Sequence, residues 1–149
     1  MWWSPNPRAI ILLDELRINR SLKKTLNRQA FQVTVNRVFP QVLEFCANAP
    51  FRREDTWIVP SMKMAYARLN KEGYAHSIEV WQDKELVGGL YGVAVNGFFS
   101  GESMFYKTSN ASKVALVYLA RLLSSANIKF IDCQILNPFL QDMGARNYT

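Results

Sequence analysis

Three apolar segments follow one another closely in the second half of the chain. They cover residues 75–81, 86–95 and 98–105. Asn96-Gly97 between the second and third segments is a strong hairpin signal, because both positions of a type I′ turn need left-handed backbone. Asp83-Lys84 marks the other turn. The three segments are therefore predicted to form an antiparallel meander at the centre of a sheet.

Segments on either side of the meander add both strands and helices. Strands are predicted at 9–13, 31–35 and 130–135, and helices from Asn19 or Ser21 to Arg28, at 38–47, from Pro60 or Ser61 to Gly73, and at 138–143. A further helix, capped by Asn110, is too apolar to be anything but buried. The pattern predicts an α/β (α+β) domain over residues 1–149, with a mixed, largely antiparallel central sheet flanked by helices. This is the layout of the acetyltransferase-like (GNAT) fold.

The net charge of +6 is concentrated in the first third of the chain. Residues 1–53 carry nine Lys or Arg against three acids, while the remainder carries nine of each sign. Four of the cations are spaced for one face of the first predicted helix: Arg17, Arg20, Lys24 and Arg28. Such a localised field favours a polyanion as partner, although a solvated basic surface would have the same charge.

The sequence shows no sign of a membrane span, a zinc site or a standard catalytic motif. No apolar run approaches the roughly 18 to 20 residues of a membrane span, so no membrane partner is expected. Cys46 and Cys133 lie far apart, which fits a reducing cytoplasm, and with the single His76 they give no zinc-site spacing. His76 is interpreted as a hydrogen-bonded structural residue. No established nucleophile motif or phosphate-binding loop is visible.

Acidic residues occupy two strands that are otherwise apolar. Strand alternation places Asp132 and Gln134 on one face of the strand at 130–135, and Glu102 lies in the strand at 98–105. A buried carboxylate is costly unless it is paired, so both acids need a partner or a function. They either bind backbone amides at strand ends or take part in chemistry. The glycine-rich run at 88–92 is interpreted as a bulge or a close approach by neighbouring backbone or ligand.

Seven short blocks of the sequence, in order and near the expected spacing, resemble bacterial leucyl/phenylalanyl-tRNA–protein transferases. They are Trp2-Trp3-Ser4-Pro5-Asn6-Pro7-Arg8, Asp55-Thr56-Trp57-Ile58, His76-Ser77-Ile78-Glu79-Val80-Trp81, Glu85-Leu86-Val87-Gly88-Gly89-Leu90-Tyr91-Gly92, Gly101-Glu102-Ser103-Met104-Phe105, Asn110-Ala111-Ser112-Lys113 and Ile131-Asp132-Cys133-Gln134. The resemblance implies transfer of Leu (or Phe/Met) from aminoacyl-tRNA to the N-terminal Arg or Lys of a protein in the cytoplasm. That reaction feeds N-degron degradation.

The resemblance also implies roles for individual residues. Asp132 and Gln134 correspond to the proposed catalytic relay, and Glu102 to an acidic substrate-positioning residue. The remaining roles are an aminoacyl pocket of Leu90, Phe99, Met104 and Ile131, adenosine binding by Trp57 and Tyr66, and contact of the basic helix with the tRNA acceptor stem. Because aminoacyl-tRNA is an activated ester, its aminolysis needs alignment and proton transfer but neither a cofactor nor a metal.

Two other functions remain open. The family carries an N-terminal domain before the Trp-Trp-Ser-Pro block and continues past Gly144-Ala145, so the chain could be a non-catalytic module that binds tRNA or protein N-termini. A small-molecule acetyltransferase would need a glycine-bearing pyrophosphate loop, whereas residues 107–113 contain no glycine.

Overall fold

A seven-stranded sheet organises the protein, seen in a computed structural model that describes residues 8–28, 30–47, 60–95, 97–108, 110–134 and 138–148. The strands are β1 Arg8–Leu12, β2 Gln32–Val35, β3 Ala75–Gln82, β4 Glu85–Val95, β5 Phe98–Tyr106, β6 Phe130–Gln134 and β7 Arg146–Tyr148. Their spatial order is β2-β3-β4-β5-β6-β1-β7. Every described pairing is antiparallel except β5 with β6, which run parallel. The predicted mixed, largely antiparallel sheet is confirmed.

The predicted meander is strands β3 to β5. Asp83 and Lys84, between β3 and β4, both have left-handed backbone, with φ of 52° and 67°. Gly97, between β4 and β5, has φ of 91°. These conformations are those of tight hairpin turns, which explains why the turn signals located the strands correctly.

In the described part of the chain, five helices cover the two faces of the sheet. They are α1 Arg20–Arg28, α2 Phe39–Ala47, α3 Pro60–Lys71, α4 Ala111–Ser125 and α5 Pro138–Asp142. Leu90 of β4 packs in one core with α1, α4 and α5, whereas the next residue, Tyr91, packs in a second core with α2 and α3. Neighbouring strand residues point to opposite faces, so the two cores lie on either side of the sheet. No helix in the described ranges is long and apolar enough to cross a membrane.

Two helix starts test the predicted caps. The Asn19 side chain accepts a hydrogen bond of 2.8 Å from the backbone amide of Leu22, which confirms the cap of α1. Asn110 occupies the predicted N-cap position of α4, but its side chain makes no capping hydrogen bond. Its backbone is left-handed (φ 70°), and its amide lies 3.3 Å from the Thr25 hydroxyl. The Asn110 side chain therefore links α4 to α1 and leaves the backbone amides of the first turn of α4 without a side-chain cap.

Two elements at the sheet edge were not predicted. A single 3-10 turn, Leu13–Glu15, follows β1 where the strand was predicted to reach residue 13. The three-residue β7 pairs with β1, opposite Arg8 to Ile10. So short a strand carries no alternation that could be recognised in the sequence.

Glu79 is a fully buried carboxylate that the sequence interpretation missed. It accepts hydrogen bonds from the hydroxyls of Thr34 (2.6 Å) and Ser77, and from the backbone amides of Arg37 (3.1 Å) and Val38 (3.4 Å). These bonds join β2, β3 and the start of α2, and they compensate for burying the charge. Glu79, like Asp132, is an acid within an apolar strand, so the same sequence pattern indicates its burial.

Candidate active site

The parallel strands β5 and β6 separate after a short contact. Among the described residues, they pair at Phe99 with Ile131 and at Ser100 with Asp132. Beyond these pairs β5 continues along β4, and a pocket of about 210 Å³ lies next to the separation. Its lining residues are Leu90, Tyr91, Phe99, Gly101, Glu102, Ser103, Met104, Leu116, Leu119, Ile131, Cys133, Phe139 and Leu140.

The four residues predicted to form an aminoacyl pocket all line this cavity. Leu90, Phe99 and Ile131 are buried, and Met104 is partly buried against the same core. Their chain positions span 42 residues, and the register of β4, β5 and β6 brings them together.

Helices α4 and α5 supply further apolar walls that the sequence interpretation did not include. The additional lining residues are Leu116, Leu119, Phe139 and Leu140. The strongly apolar sequence of α4 predicted its burial, but it gave no indication of which residues face the cavity.

Glu102 lies on a β-bulge at the polar part of the cavity wall. Tyr91 pairs with Ser103 and Gly92 pairs with Gly101, so Glu102 is the extra residue on β5. One carboxylate oxygen accepts a 2.5 Å hydrogen bond from the Tyr66 hydroxyl, and the other accepts a 3.0 Å bond from the Ser100 hydroxyl. The bulge explains how an acid in an apolar strand comes to border the cavity.

Tyr66 of α3 holds Glu102 from the side of the second core. Its ring packs edge-on against Tyr91, with 5.2 Å between the ring centroids. Burial, and next the hydrogen bond to Glu102, raise the pKa of Tyr66 well above its usual value. The hydroxyl therefore remains a hydrogen-bond donor at physiological pH. The structure brings Tyr66 to the site, whereas Trp57, the other residue predicted to bind adenosine, lies outside the described residues.

Asp132 is buried in an ion pair with Arg8 of β1. The guanidinium places Nε at 2.9 Å and Nη2 at 2.6 Å from the same carboxylate oxygen, Oδ2. The expectation that a buried Asp132 needs a partner is confirmed. Its register partner is Ser100, which donates to Glu102, so the two acids lie on neighbouring strands. The backbone of Gln134 lies opposite Ala9 in β1.

Cys133 lines the pocket but is a poor nucleophile. Burial, and next the negative charge of Asp132, raise the pKa of Cys133 to about 12. The thiol therefore stays protonated at neutral pH, and the thiolate is the reactive form. Within the described part of the chain, no three His, Cys, Asp or Glu residues are grouped as metal ligands.

Helix α1 carries a basic surface. Arg20, Lys24 and Arg28 are exposed on it, and Lys23 extends the same side. Arg17 was predicted to share the helix, and this is wrong, because α1 begins at Arg20 and Arg17 lies in the preceding loop. Among the described residues, none of these five cations forms a side-chain ion pair. The opposite side of α1 buries Leu22 against the core shared with α4.

Comparisons with known proteins agree with the fold and the sequence blocks. A GCN5-related N-acetyltransferase from Kribbella flavida superposes with a TM-score of 0.60 at 8% identity, over 95% of this chain and 54% of that one. That likeness supports the GNAT-like fold alone.

His76 was predicted to be a hydrogen-bonded structural residue. Its Nδ1 lies 2.9 Å from the Asn36 side-chain amide nitrogen, within hydrogen-bond distance.

Sequence relatives identify the family. Residues 10–149 match the profile described as leucyl/phenylalanyl-tRNA protein transferase. Two relatives carry the name leucyl/phenylalanyl-tRNA–protein transferase. The one from Colwellia psychrerythraea is 66% identical to this chain, and the one from Chromohalobacter salexigens is 51% identical to it. Both alignments cover 98% of this chain, which spans 63% and 57% of those relatives. Because the profile and the relatives match nearly the whole sequence, this chain belongs to the leucyl/phenylalanyl-tRNA–protein transferase family.

Proposed function

We propose that this chain transfers Leu, or Phe or Met, from aminoacyl-tRNA to the N-terminal Arg or Lys of a protein. The observation that carries the proposal is an apolar cavity bordered by a held carboxylate, within a GNAT-like fold that belongs to this family. The cavity takes the apolar aminoacyl side chain. Glu102 attracts and positions the cationic N-terminal residue of the acceptor protein.

The proposed reaction is aminolysis of an ester. The acceptor's α-amine attacks the ester carbonyl carbon, a C–N bond forms, and the ribose oxygen of the tRNA leaves. One proton moves from the amine, and one reaches the departing oxygen. Holding the amine beside the carbonyl supplies much of the acceleration, because alignment removes the entropic cost of bringing the two reactants together.

Asp132 and Gln134 are proposed to orient the amine and to accept its proton, directly or through the amide of Gln134. The ion pair with Arg8 fixes one oxygen of Asp132 in position, at distances of 2.6 and 2.9 Å. A positioned proton acceptor contributes about 10²- to 10⁴-fold in rate. Asp132 and Glu102 are on adjacent strands, which supports their acting on one acceptor residue, Asp132 on its α-amine and Glu102 on its cationic side chain.

The tRNA is proposed to bind along α1 and the loop that precedes it. Arg17, Arg20, Lys24 and Arg28, together with Lys23, would contact acceptor-stem phosphates, and Trp57 and Tyr66 would contact the terminal adenosine. Cytoplasmic localisation follows from such a substrate. The described strands form one sheet, which supports a single domain over residues 1–149.

Transfer of radiolabelled leucine from Leu-tRNA to an Arg-initiated peptide tests the proposal. Appearance of labelled peptide would support the proposal that the chain is an aminoacyltransferase. The competing function, a non-catalytic module that binds tRNA or N-termini, would give binding of Leu-tRNA without labelled peptide.

A further inference from the structure

Glycines are concentrated where β4 and β5 pass the pocket. Glycine weakens a strand, so each one calls for a packing, backbone or ligand explanation. For three of them the explanation is crowding. A Cβ atom at Gly88 would lie 2.6 Å from the Ala111 Cβ, and one at Gly89 would lie 2.8 Å from the Ile78 carbonyl oxygen. At Gly92 it would clash with the Phe99 ring and the Ser100 carbonyl.

Gly101 is not explained in this way. A Cβ atom there would meet only the Asp132 carbonyl oxygen at 3.6 Å and the Ile131 Cγ2 at 3.8 Å, which are ordinary contact distances. Nor does its backbone adopt the left-handed conformation seen at Gly73, Gly97 and Gly144. Neither crowding nor the backbone requires glycine at position 101.

Gly101 does line the pocket. It lies on β5 between Phe99 and Met104, and the added Cβ would sit beside Ile131, another lining residue. The space that a side chain at position 101 would fill is therefore part of the cavity. At about 210 Å³ the cavity exceeds the roughly 150 Å³ of an apolar cavity known to accept benzene. This volume is large enough for a phenyl group as long as residue 101 has no side chain.

We propose that Gly101 sets the upper size limit of the aminoacyl pocket, so that a phenylalanyl group enters as well as a leucyl group. The inference rests on the proposed function, because it names the substrate range of that same cavity. A methyl group at position 101 would take up space that the larger, aromatic side chain needs more than leucine does.

The test compares transfer of leucine and phenylalanine by the wild type and by Gly101→Ala. One methylene in an apolar pocket discriminates about 10- to 200-fold, so phenylalanyl transfer should fall at least about tenfold relative to leucyl transfer. Gly101→Val should widen the difference. Adding Met104→Ala to Gly101→Ala should move the ratio back towards the wild-type value, since it reopens the cavity.

Gly92→Ala is the matched control, because its methyl group would clash with protein atoms rather than with substrate. It should lower the unfolding temperature and reduce both transfers alike. Gly101→Ala should keep an unfolding temperature near that of the wild type. Equal losses of both transfers in Gly101→Ala, or no change in their ratio, would overturn the inference.

Binding separates failure of this inference from failure of the proposed function. The probes are the stable amides 3′-leucylamino- and 3′-phenylalanylamino-3′-deoxyadenosine, measured by calorimetry. If the wild type binds both but transfers neither amino acid, the proposed function fails, while a selective loss of the phenylalanyl probe in Gly101→Ala still supports the size limit. If the wild type binds neither probe, both are wrong.

Discussion

Glu102 shows how single contacts define this site. The bulge removes it from regular strand pairing, and Tyr66 and Ser100 then hold its two oxygens. A carboxylate fixed in this way is prepared to receive a cationic group without rearranging. The role of Tyr66 is therefore best tested through its hydroxyl, with the ring left in place.

Tyr66→Phe should impair use of the acceptor peptide more than binding of tRNA. The change removes the 2.5 Å hydrogen bond to Glu102 and retains the ring contact with Tyr91. A hydrogen bond to a charged group is worth about 1.5–3 kcal/mol. We expect the KM for an Arg-initiated peptide to rise about tenfold or more, with little change in kcat, which corresponds to about 1.4 kcal/mol per decade.

Ser100→Ala is the companion variant, since it removes the other hydrogen bond to Glu102 and should change the same KM. If Tyr66→Phe instead weakened puromycin binding and left the peptide KM unchanged, the hydroxyl would serve the adenosine site.

Asp132 and Gln134 should behave as one unit. Asp132→Asn and Gln134→Ala are each expected to slow single-turnover leucyl transfer by about 10²- to 10⁴-fold. The double variant should be little slower than the slower single variant, because a relay fails when either member is lost. Affinity for Leu-tRNA should be retained.

Arg8→Gln controls for the ion pair, since it removes the bond to Asp132 and leaves the carboxylate present. Small additive losses at Asp132 and Gln134, or equal losses of binding and transfer, would mean that the two residues only support the strand.

At the scale of elements, α1 divides its two sides between packing and charge. Leu22 is buried in the core with α4, and the exposed side carries Arg20, Lys23, Lys24 and Arg28. Charge reversal on the exposed side should therefore leave the fold intact.

Arg20→Glu with Lys24→Glu should weaken tRNA binding and flatten its dependence on salt. Each lost phosphate contact lowers the slope of log affinity against log salt by about 0.9 for a duplex. Lys84→Glu with Lys129→Glu changes the net charge equally at exposed positions outside α1 and serves as the control. Unchanged affinity and slope in the α1 variant would mean that its cations are only a solvated surface.

The elements also show which structural features can be predicted from sequence. Strands β3 to β5 were predictable because alternation and two-residue turns are local signals. The Arg8–Asp132 ion pair joins residues 124 positions apart, so only the need for a partner could be anticipated. The position of Asn110 at the start of α4 was predicted correctly, but its hydrogen bond was not, because residue preference does not specify whether the side chain turns towards α1 or its own helix.

At the scale of the whole molecule, the site depends on the parting of β5 and β6. The family resemblance was enough to assign four apolar residues to one pocket: Leu90, Phe99, Met104 and Ile131. Their meeting with Leu116 and Leu119 depends on how α4 crosses the sheet, which no local pattern determines. The bulge at Glu102 is likewise a property of pairing between strands.

The initial rate of leucyl transfer to an Arg-initiated peptide tests the proposed reaction itself. The chain should form the Leu-Arg peptide bond from Leu-tRNA without an added cofactor, because the ester is already activated. A Ser-initiated peptide should react much more slowly, since it offers Glu102 no cationic side chain, and an N-acetylated Arg peptide should not react. Binding of Leu-tRNA with no Leu-Arg product would contradict the proposed transfer, and equal rates with the Arg- and Ser-initiated peptides would contradict the role of Glu102.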